Sequence, residues 1–312
     1  MEKLRHKQLF YNKRYVAHQM IKAFIKYIFV ICVVAVFFTS CSKSDGGTAS
    51  PPASTQPPFT PTSSNCLLSG ISQVNSGTKP EFSLSVAFDG SFNVKNIITY
   101  DSTVSERTFN ADFSYVTVDS IIIDPYQYIK LDASKRVSIF STRSDLVNPA
   151  TADKYKFQYS YDTQGYLVKK DMYVNGSTLP NFSTSYTYSN NLLLKCLMTT
   201  VSAGNLKVLE ADLTYDNTID IKNWIYTFPD ATIDNIHSIA FNFGIRATHP
   251  LKKVVTKIYN PVTGTMLDNW TTNYGSYKVN SNGNVTYGIA TGDLQQGIAV
   301  FYGKTFFSYN CR

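Results

Sequence analysis

From Lys154 to Tyr161 every second residue is aromatic. Tyr155, Phe157, Tyr159 and Tyr161 alternate with Lys154, Lys156, Gln158 and Ser160. A period of two puts the rings on one face of a strand and the polar side chains on the other. Asp162-Thr163-Gln164-Gly165 then supplies turn chemistry, and Tyr166 to Val174 returns as a second strand before Asn175-Gly176. The unit recurs. Phe82, Leu84, Val86 and Phe88 enter Asp89-Gly90 and leave through Phe92, Val94 and Tyr100; Phe182, Thr184, Tyr186 and Tyr188 enter Ser189-Asn190-Asn191. Leu209, Ala211, Leu213 and Tyr215 enter Asp216-Asn217, and Lys278-Val279 enters Asn280-Ser281-Asn282-Gly283. Turns starting at Asp132, Asp162, Ser189 and Asp216 lie 30, 27 and 27 residues apart, a degenerate hairpin repeat. A chain written this way has one main option: an all-β, antiparallel hairpin meander over residues 66–312. Strand twist makes such a meander a strongly curved sheet or a closed or half barrel.

One stretch breaks the alternation. In Pro229 to Gly244, Ile233, Ile236, Ile239, Ala240 and Phe243 fall at helical spacing, with Asp230 or Thr232 as a possible N-cap and Gly244 as a stop. The pattern predicts one short helix, or a loop insertion, near residues 230–244.

The repeats, YKFQYSYDTQGYLVKKDMYVNG and FSTSYTYSNNLLLKC, resemble the Tyr-Asp (YD) repeats of RHS-type proteins. The layout also resembles uncharacterised Bacteroidota lipoproteins with a porin-like β fold. That resemblance covers residues 66–312. It implies architecture and carries no activity, because the family has none assigned.

Residues 1–40 read as an address. Lys22 and Lys26 precede an apolar run from Ile28 to Phe38, followed by Thr39, Ser40 and Cys41. The run would span about 16 Å as a helix, roughly half of a hydrocarbon core, so a transmembrane helix is the weaker reading. Phe38-Thr39-Ser40-Cys41 resembles the lipobox of bacterial lipoproteins, with Phe where Leu is commonest. The resemblance implies that Cys41 becomes the lipidated first residue of the mature chain; an ordinary cleaved signal is the alternative. Met20 opens a compact signal and is a second candidate start. Residues 41–65 (CSKSDGGTASPPASTQPPFTPTSSN) are rich in Pro, Ser, Thr and Gly, with Phe59 the only large apolar side chain, and predict a disordered tether. Ser42 after the Cys, by resemblance to the enterobacterial sorting rule, points to the outer membrane, periplasmic or surface-facing.

Charge excludes one class. The chain carries 29 Lys+Arg against 22 Asp+Glu, net +7, with a pI near 9.0. Lys3, Arg5, Lys7, Lys13, Arg14, Lys22 and Lys26, against Glu2 alone, lie in residues 1–40, leaving the body nearly neutral. A neutral body lacks the footprint of a nucleic-acid binder.

Candidate chemistry is sparse. His237 and His249, with no Cys or acid cluster beside them, fit no zinc spacing. Asp89, Asp132, Asp162 and Asp216 could suggest a Ca²⁺ site or a glycosidase pair, but each is explained by its turn. No G-x-S-x-G, P-loop or dinucleotide fingerprint occurs, and no cofactor is implied. Trp224 and Trp270 could stack on sugars or line a protein groove, or be core. Asp101-Ser102-Thr103 and Asp119-Ser120-Ile121 match the short D-[ST]-x pattern of Bacteroidota O-glycosylation. Of the body cysteines, Cys66 opens the first strand and Cys311 closes the last; in an oxidising envelope they are expected to pair. Cys196 alternates with Leu192, Leu194 and Met198 and reads as a buried thiol.

The sequence therefore predicts a membrane-anchored envelope lipoprotein with a non-catalytic β-domain that binds a glycan, protein or lipid partner. The alternative is a structural or accessory subunit of an envelope complex without a small ligand; a polysaccharide-active enzyme ranks behind both. A membrane-spanning barrel also fits strand alternation. It would make lipidation redundant, and the chain ends Asn310-Cys311-Arg312 without the terminal aromatic usual in such barrels.

Overall fold

The computed structural model describes residues 66–311, apart from 75–81, 92, 102–106, 124–126, 144–152, 223, 227, 229–240, 294–300 and 302. The signal and tether readings, with Cys41, lie outside the described residues. Sixteen strands follow in chain order. They are β1 (Cys66–Val74), β2 (Phe82–Phe88), β3 (Val94–Asp101), β4 (Arg107–Thr117), β5 (Ser120–Ile123), β6 (Gln127–Leu131), β7 (Val137–Arg143) and β8 (Asp153–Tyr161). Then come β9 (Leu167–Val174), β10 (Phe182–Ser189), β11 (Leu192–Thr200), β12 (Lys207–Tyr215), β13 (Leu251–Tyr259), β14 (Met266–Val279), β15 (Val285–Gly292) and β16 (Gly303–Cys311). Each pairs antiparallel with the next, and β16 returns to β1, so the sheet closes into a barrel with no crossover. Cys66 pairs with Cys311, Ile71 with Phe307 and Val74 with Lys304. A disulfide joins Cys66 to Cys311, with Cα atoms 4.0 Å apart, and Cys196 is a buried free thiol on β11.

The turns repeat one device. The Oδ1 of Asp132 accepts the amides of Ser134 and Arg136, both at 2.9 Å. Asp162 does the same for Gln164 and Tyr166, Asp89 for Ser91 and Asn93, and Asn280 for Asn282 and Asn284. One short side chain thus satisfies two amides that would otherwise point into the turn without partners. A second device locks the strands beside these turns. Tyr115, Tyr161 and Tyr277 each donate a phenolic hydrogen bond to the first carbonyl of the preceding strand: Val94 at 3.1 Å, Val137 at 2.7 Å and Leu251 at 2.6 Å. These tyrosines are latches between β4 and β3, β8 and β7, and β14 and β13.

The alternation sorts side chains between two surfaces. Ile97, Ile121, Ile123, Ile129, Leu167 and Leu251 are buried, and Lys154, Gln158, Lys169, Ser185, Asp212, Lys253 and Lys304 are exposed. The buried set points inward. The 35-residue β12–β13 connection shows this directly, because its aromatic rings touch strands all round the wall. Phe241 meets Phe113 of β4, Phe243 meets Tyr159 of β8, Phe228 meets Tyr186 of β10, and Trp224 meets Tyr277 of β14 and Phe307 of β16. Only a segment inside the barrel reaches all of these. It is held at the end that carries the Asp turns. Asn242 accepts the Val137 amide at 2.8 Å, Gly165 accepts the Ile245 amide at 3.1 Å, and Gly283 accepts the Lys222 amide at 2.7 Å.

The helical spacing in this connection does not become a helix in the described residues. Ile233, Ile236, Ile239 and Ala240 lie outside them. Phe241, Phe243 and Gly244 are irregular backbone, with Gly244 at φ +95°. The described part of this connection, a plug in the barrel, packs on strands from several sides, so Phe241 and Phe243 need no single stripe. A Cβ at residue 244 would run into the carbonyl oxygen of Gly165, so this glycine is needed for close approach as well as for its φ.

Candidate functional site

The residues singled out from the sequence do not converge. Asp89, Asp132 and Asp162 sit at three separate hairpin tips, and Asp216 begins the plug. Their oxygens are engaged locally: Asp132 with Arg136 Nε at 2.8 Å, Asp216 with the Thr218 hydroxyl at 2.6 Å. The Thr218 hydroxyl, helped by the Thr218 amide, holds the Asp216 carboxyl below the usual range. His249 Nδ1 lies 2.9 Å from the Ile219 carbonyl and 3.4 Å from Asp220, and His237 lies outside the described residues. Among the described residues no three His, Cys, Asp or Glu side chains gather as metal ligands. Trp224 is core, fully buried against Tyr277, Phe301 and Phe307. Trp270 is half-exposed, and its indole N–H donates to Asp268 at 2.7 Å. Of the glycosylation-like triplets, Asp119-Ser120-Ile121 lies on the β4–β5 turn; Ser102 and Thr103 lie outside the described residues.

A cavity lies where the β9–β10 ladder ends early. The β9–β10 ladder runs from Met172↔Phe182 to Lys169↔Ser185 and stops. Leu167 and Val168 on one side, and Thr187 on the other, lie beyond the last ladder pair. A trough of about 370 Å³ fills the seam, lined by residues of both strands and of the turns above them. Tyr166 bridges its upper end. Its ring lies 4.8 Å from that of Tyr188, and its hydroxyl donates to Asn191 Oδ1 at 2.7 Å. Val168 and Tyr188 are half-buried; Gln164, Thr187, Asn190 and Asn191 are exposed.

Tyr309 of β16 is half-buried with a hydroxyl that has no hydrogen-bond partner among the described residues, and Tyr188 is a second departure from the latches. Tyr188 occupies on β10 the place that Tyr161 and Tyr277 occupy on β8 and β14. With the ladder open, its hydroxyl makes no hydrogen bond among the described residues, whereas the other two are latched. Burial pushes its hydroxyl well above the usual tyrosine range, so it stays protonated and able to donate. Behind it a crevice of about 10 Å³, enough for about one water, is lined by Tyr188, Asn191, Tyr215, Tyr226 and Arg246. Asp162, the carboxylate of the trough, gives Oδ1 to three backbone amides of its own turn. The trough thus combines an aromatic floor with neutral amide and hydroxyl groups on its rim. Turn residues of this seam were legible as turns; the loss of register that makes them a cavity depends on pairing between hairpins and leaves no local signal.

Two features lie apart. Lys170 is buried on the inner face of β9, 5.6 Å from the ring of Phe157. On the outer face Glu210 is buried under Lys207 at 2.6 Å and Lys195 at 2.9 Å. Hydrogen bonds from Lys207 and then Lys195 hold its carboxyl down to about 2.

No family model matches the sequence, and no curated protein matches it. Solved structures do. A porin-like protein from Bacteroides uniformis ATCC 8492 superposes with a TM-score of 0.52 at 14% identity, covering 78% of this chain and 98% of that one. A porin-like protein from Bacteroides vulgatus ATCC 8482 gives a TM-score of 0.48 at 10% identity, covering 79% and 99%. The first likeness agrees with an all-β, closed antiparallel barrel of sixteen strands.

Proposed function

We propose that this chain is a lipid-anchored envelope protein whose barrel is a water-soluble, non-catalytic binding body rather than a channel. The observation that carries the reading is which way the wall faces. A membrane-spanning barrel shows lipid an apolar band about 25 Å tall and keeps its polar residues inside. Here the interior is mostly apolar, Lys170 apart, and holds the aromatic rings of the plug, while Lys156, Lys169, Lys195, Lys253 and Lys257 stand on the outer face. Each such lysine would cost about 2–4 kcal/mol at a bilayer midplane. Among the described residues the exposed apolar side chains form no belt; Ile98, Leu194 and Phe306 stand singly on β3, β11 and β16. Tyr115, Val116 and Val118 sit by the β4–β5 turn, and Val262, Met266 and Leu267 by the β13–β14 turn. The alternation that makes the wall therefore makes it soluble. Attachment to a membrane falls to the signal-like N-terminal segment, Cys41 and the tether through residue 65.

The purified protein in a planar lipid bilayer tests this. The expected result is no conductance step at any voltage. Regular ohmic steps would show an open lumen and overturn the reading.

A further inference from the structure

We propose that the open seam between β9 and β10 is a carbohydrate-binding cleft that takes one or two neutral sugar rings. The proposal rests on the binding-body reading and names its ligand class.

Four observations converge. First, the wall is latched by a tyrosine at three other places and not here. Tyr115, Tyr161 and Tyr277 close their hairpin neighbours through a hydroxyl–carbonyl bond, and Tyr188, at the matching place, keeps its hydroxyl unspent at the cleft. A tyrosine hydroxyl without a protein partner, at the wall of a cavity, is a donor and acceptor held ready for a ligand. Second, the volume of about 370 Å³ lies at the small end of ligand pockets, suited to a sugar unit. Third, the surfaces match a pyranose ring. Such a ring has apolar C–H faces and a rim of hydroxyls. The cleft offers the half-buried Tyr188 ring and Val168 below, with Gln164, Thr187 and Asn190 around them. The Gln164 and Asn190 amides each supply an acceptor oxygen and two donor hydrogens, the pattern that reads vicinal hydroxyls. Fourth, the cleft is poor in charge. Asp162 is the ionisable carboxylate in the lining and has committed Oδ1 to its turn, which disfavours an anionic ligand and leaves no acid–base pair for hydrolysis.

A peptide added as a strand is the competing occupant. Beyond the last ladder pair β9 offers only Leu167–Val168, shorter than any strand of this barrel, and Tyr166 bars the upper end through its bond to Asn191. Strand addition needs a longer free edge.

The test is saturation-transfer NMR on the full-length purified protein with maltose, cellobiose, lactose and diacetylchitobiose, and with glycerol as the acyclic control. At least one disaccharide should give a saturable signal, strongest on ring C–H protons, and glycerol none. Tyr188→Phe removes only the hydroxyl and should weaken that binding about tenfold with an unchanged melting temperature. Gln164→Ala, on an exposed turn, should also weaken it. Thr187→Trp fills the cleft and should abolish it. The proposal is overturned if no disaccharide binds at millimolar concentration. It is equally overturned if binding survives all three substitutions, or if an extended hexapeptide competes the sugar away. None of these failures would alter bilayer conductance, so they remain separable from failure of the soluble-barrel reading.

Discussion

At the residue scale, identical side chains carry different weight according to the register around them. Tyr161 and Tyr188 occupy equivalent places, yet one donates to Val137 at 2.7 Å and the other has no partner among the described residues. Removing a made hydrogen bond costs about 1 kcal/mol, and more when the carbonyl is left unpaired. Tyr161→Phe is therefore expected to lower unfolding free energy by about 1–2 kcal/mol in urea denaturation, and Tyr188→Phe to leave it unchanged within error. Equal losses would contradict the latch assignment. Trp224 gives a second contrast. It is fully buried in a ring cluster, and its indole N–H has no acceptor among the described residues. Trp224→Ala should cost about 3–5 kcal/mol by cavity formation. Trp224→Phe removes less volume and no hydrogen bond, so its cost should be about 1–2 kcal/mol.

Glu210 sets a pH dependence. Its carboxyl, hydrogen-bonded by Lys207 and Lys195, falls from 4.5 to about 2 in the fold. A depressed carboxylate stabilises the folded state above its unfolded pKa, and that contribution disappears as pH falls through the folded value. The Glu210 contribution is thus complete above pH 4.5 and lost between 4.5 and about 2. In acid titrations followed by circular dichroism, Glu210→Gln should flatten the stability slope in that window. An unchanged slope would place acid sensitivity elsewhere.

At the scale of elements, the strands and most turns were legible because their chemistry is local. Asp132, Asp162 and Asn280 announce turns by side-chain bonds two and four residues ahead, and the Lys154–Tyr161 alternation announces a strand without reference to any neighbour. Three features were less legible: closure, which the sequence offered beside a half barrel or a curved sheet, the β12–β13 connection and the β9–β10 seam. Closure depends on pairing Cys66 to Val74 with Lys304 to Cys311, across the whole domain, and no window of sequence contains that. The helical spacing falls mostly on residues outside the described ones; Phe241 and Phe243, within them, meet rings on separate strands, where periodicity loses its meaning. The β9–β10 seam is a failure of register at Lys169↔Ser185, invisible in either hairpin alone. The plug makes its own prediction. Gly244→Ala forces a Cβ against the Gly165 carbonyl and a strained φ, so it should destabilise by at least about 2 kcal/mol in thermal melts. An unchanged melting temperature would mean the plug is loosely held.

The closing ladder carries another. The Cys66–Cys311 bond spans 245 residues, and loop entropy gives it an upper value of about 5 kcal/mol. Non-reducing peptide mapping should find this pair with Cys196 free, and reduction should lower the melting temperature without dissolving the β spectrum. Any bridge through Cys196 would contradict the barrel register.

At the scale of the whole molecule, the account turns on one inversion: apolar residues inside, charge outside. The same hairpin repeat with its alternation shifted by one residue would expose an apolar wall to lipid and line a polar lumen. In the proposed reading this orientation makes the barrel a soluble body and leaves membrane attachment to the N-terminus. Both ends of the chain in the barrel, Cys66 and Cys311, lie at the plugged end. The most direct measurement is the behaviour of the Cys41→Ala protein after cell lysis. The account predicts that it leaves the membrane fraction without detergent and runs as a soluble species with a full β-sheet circular dichroism spectrum. Retention in the membrane after alkaline carbonate extraction, with solubility only in detergent, would contradict it.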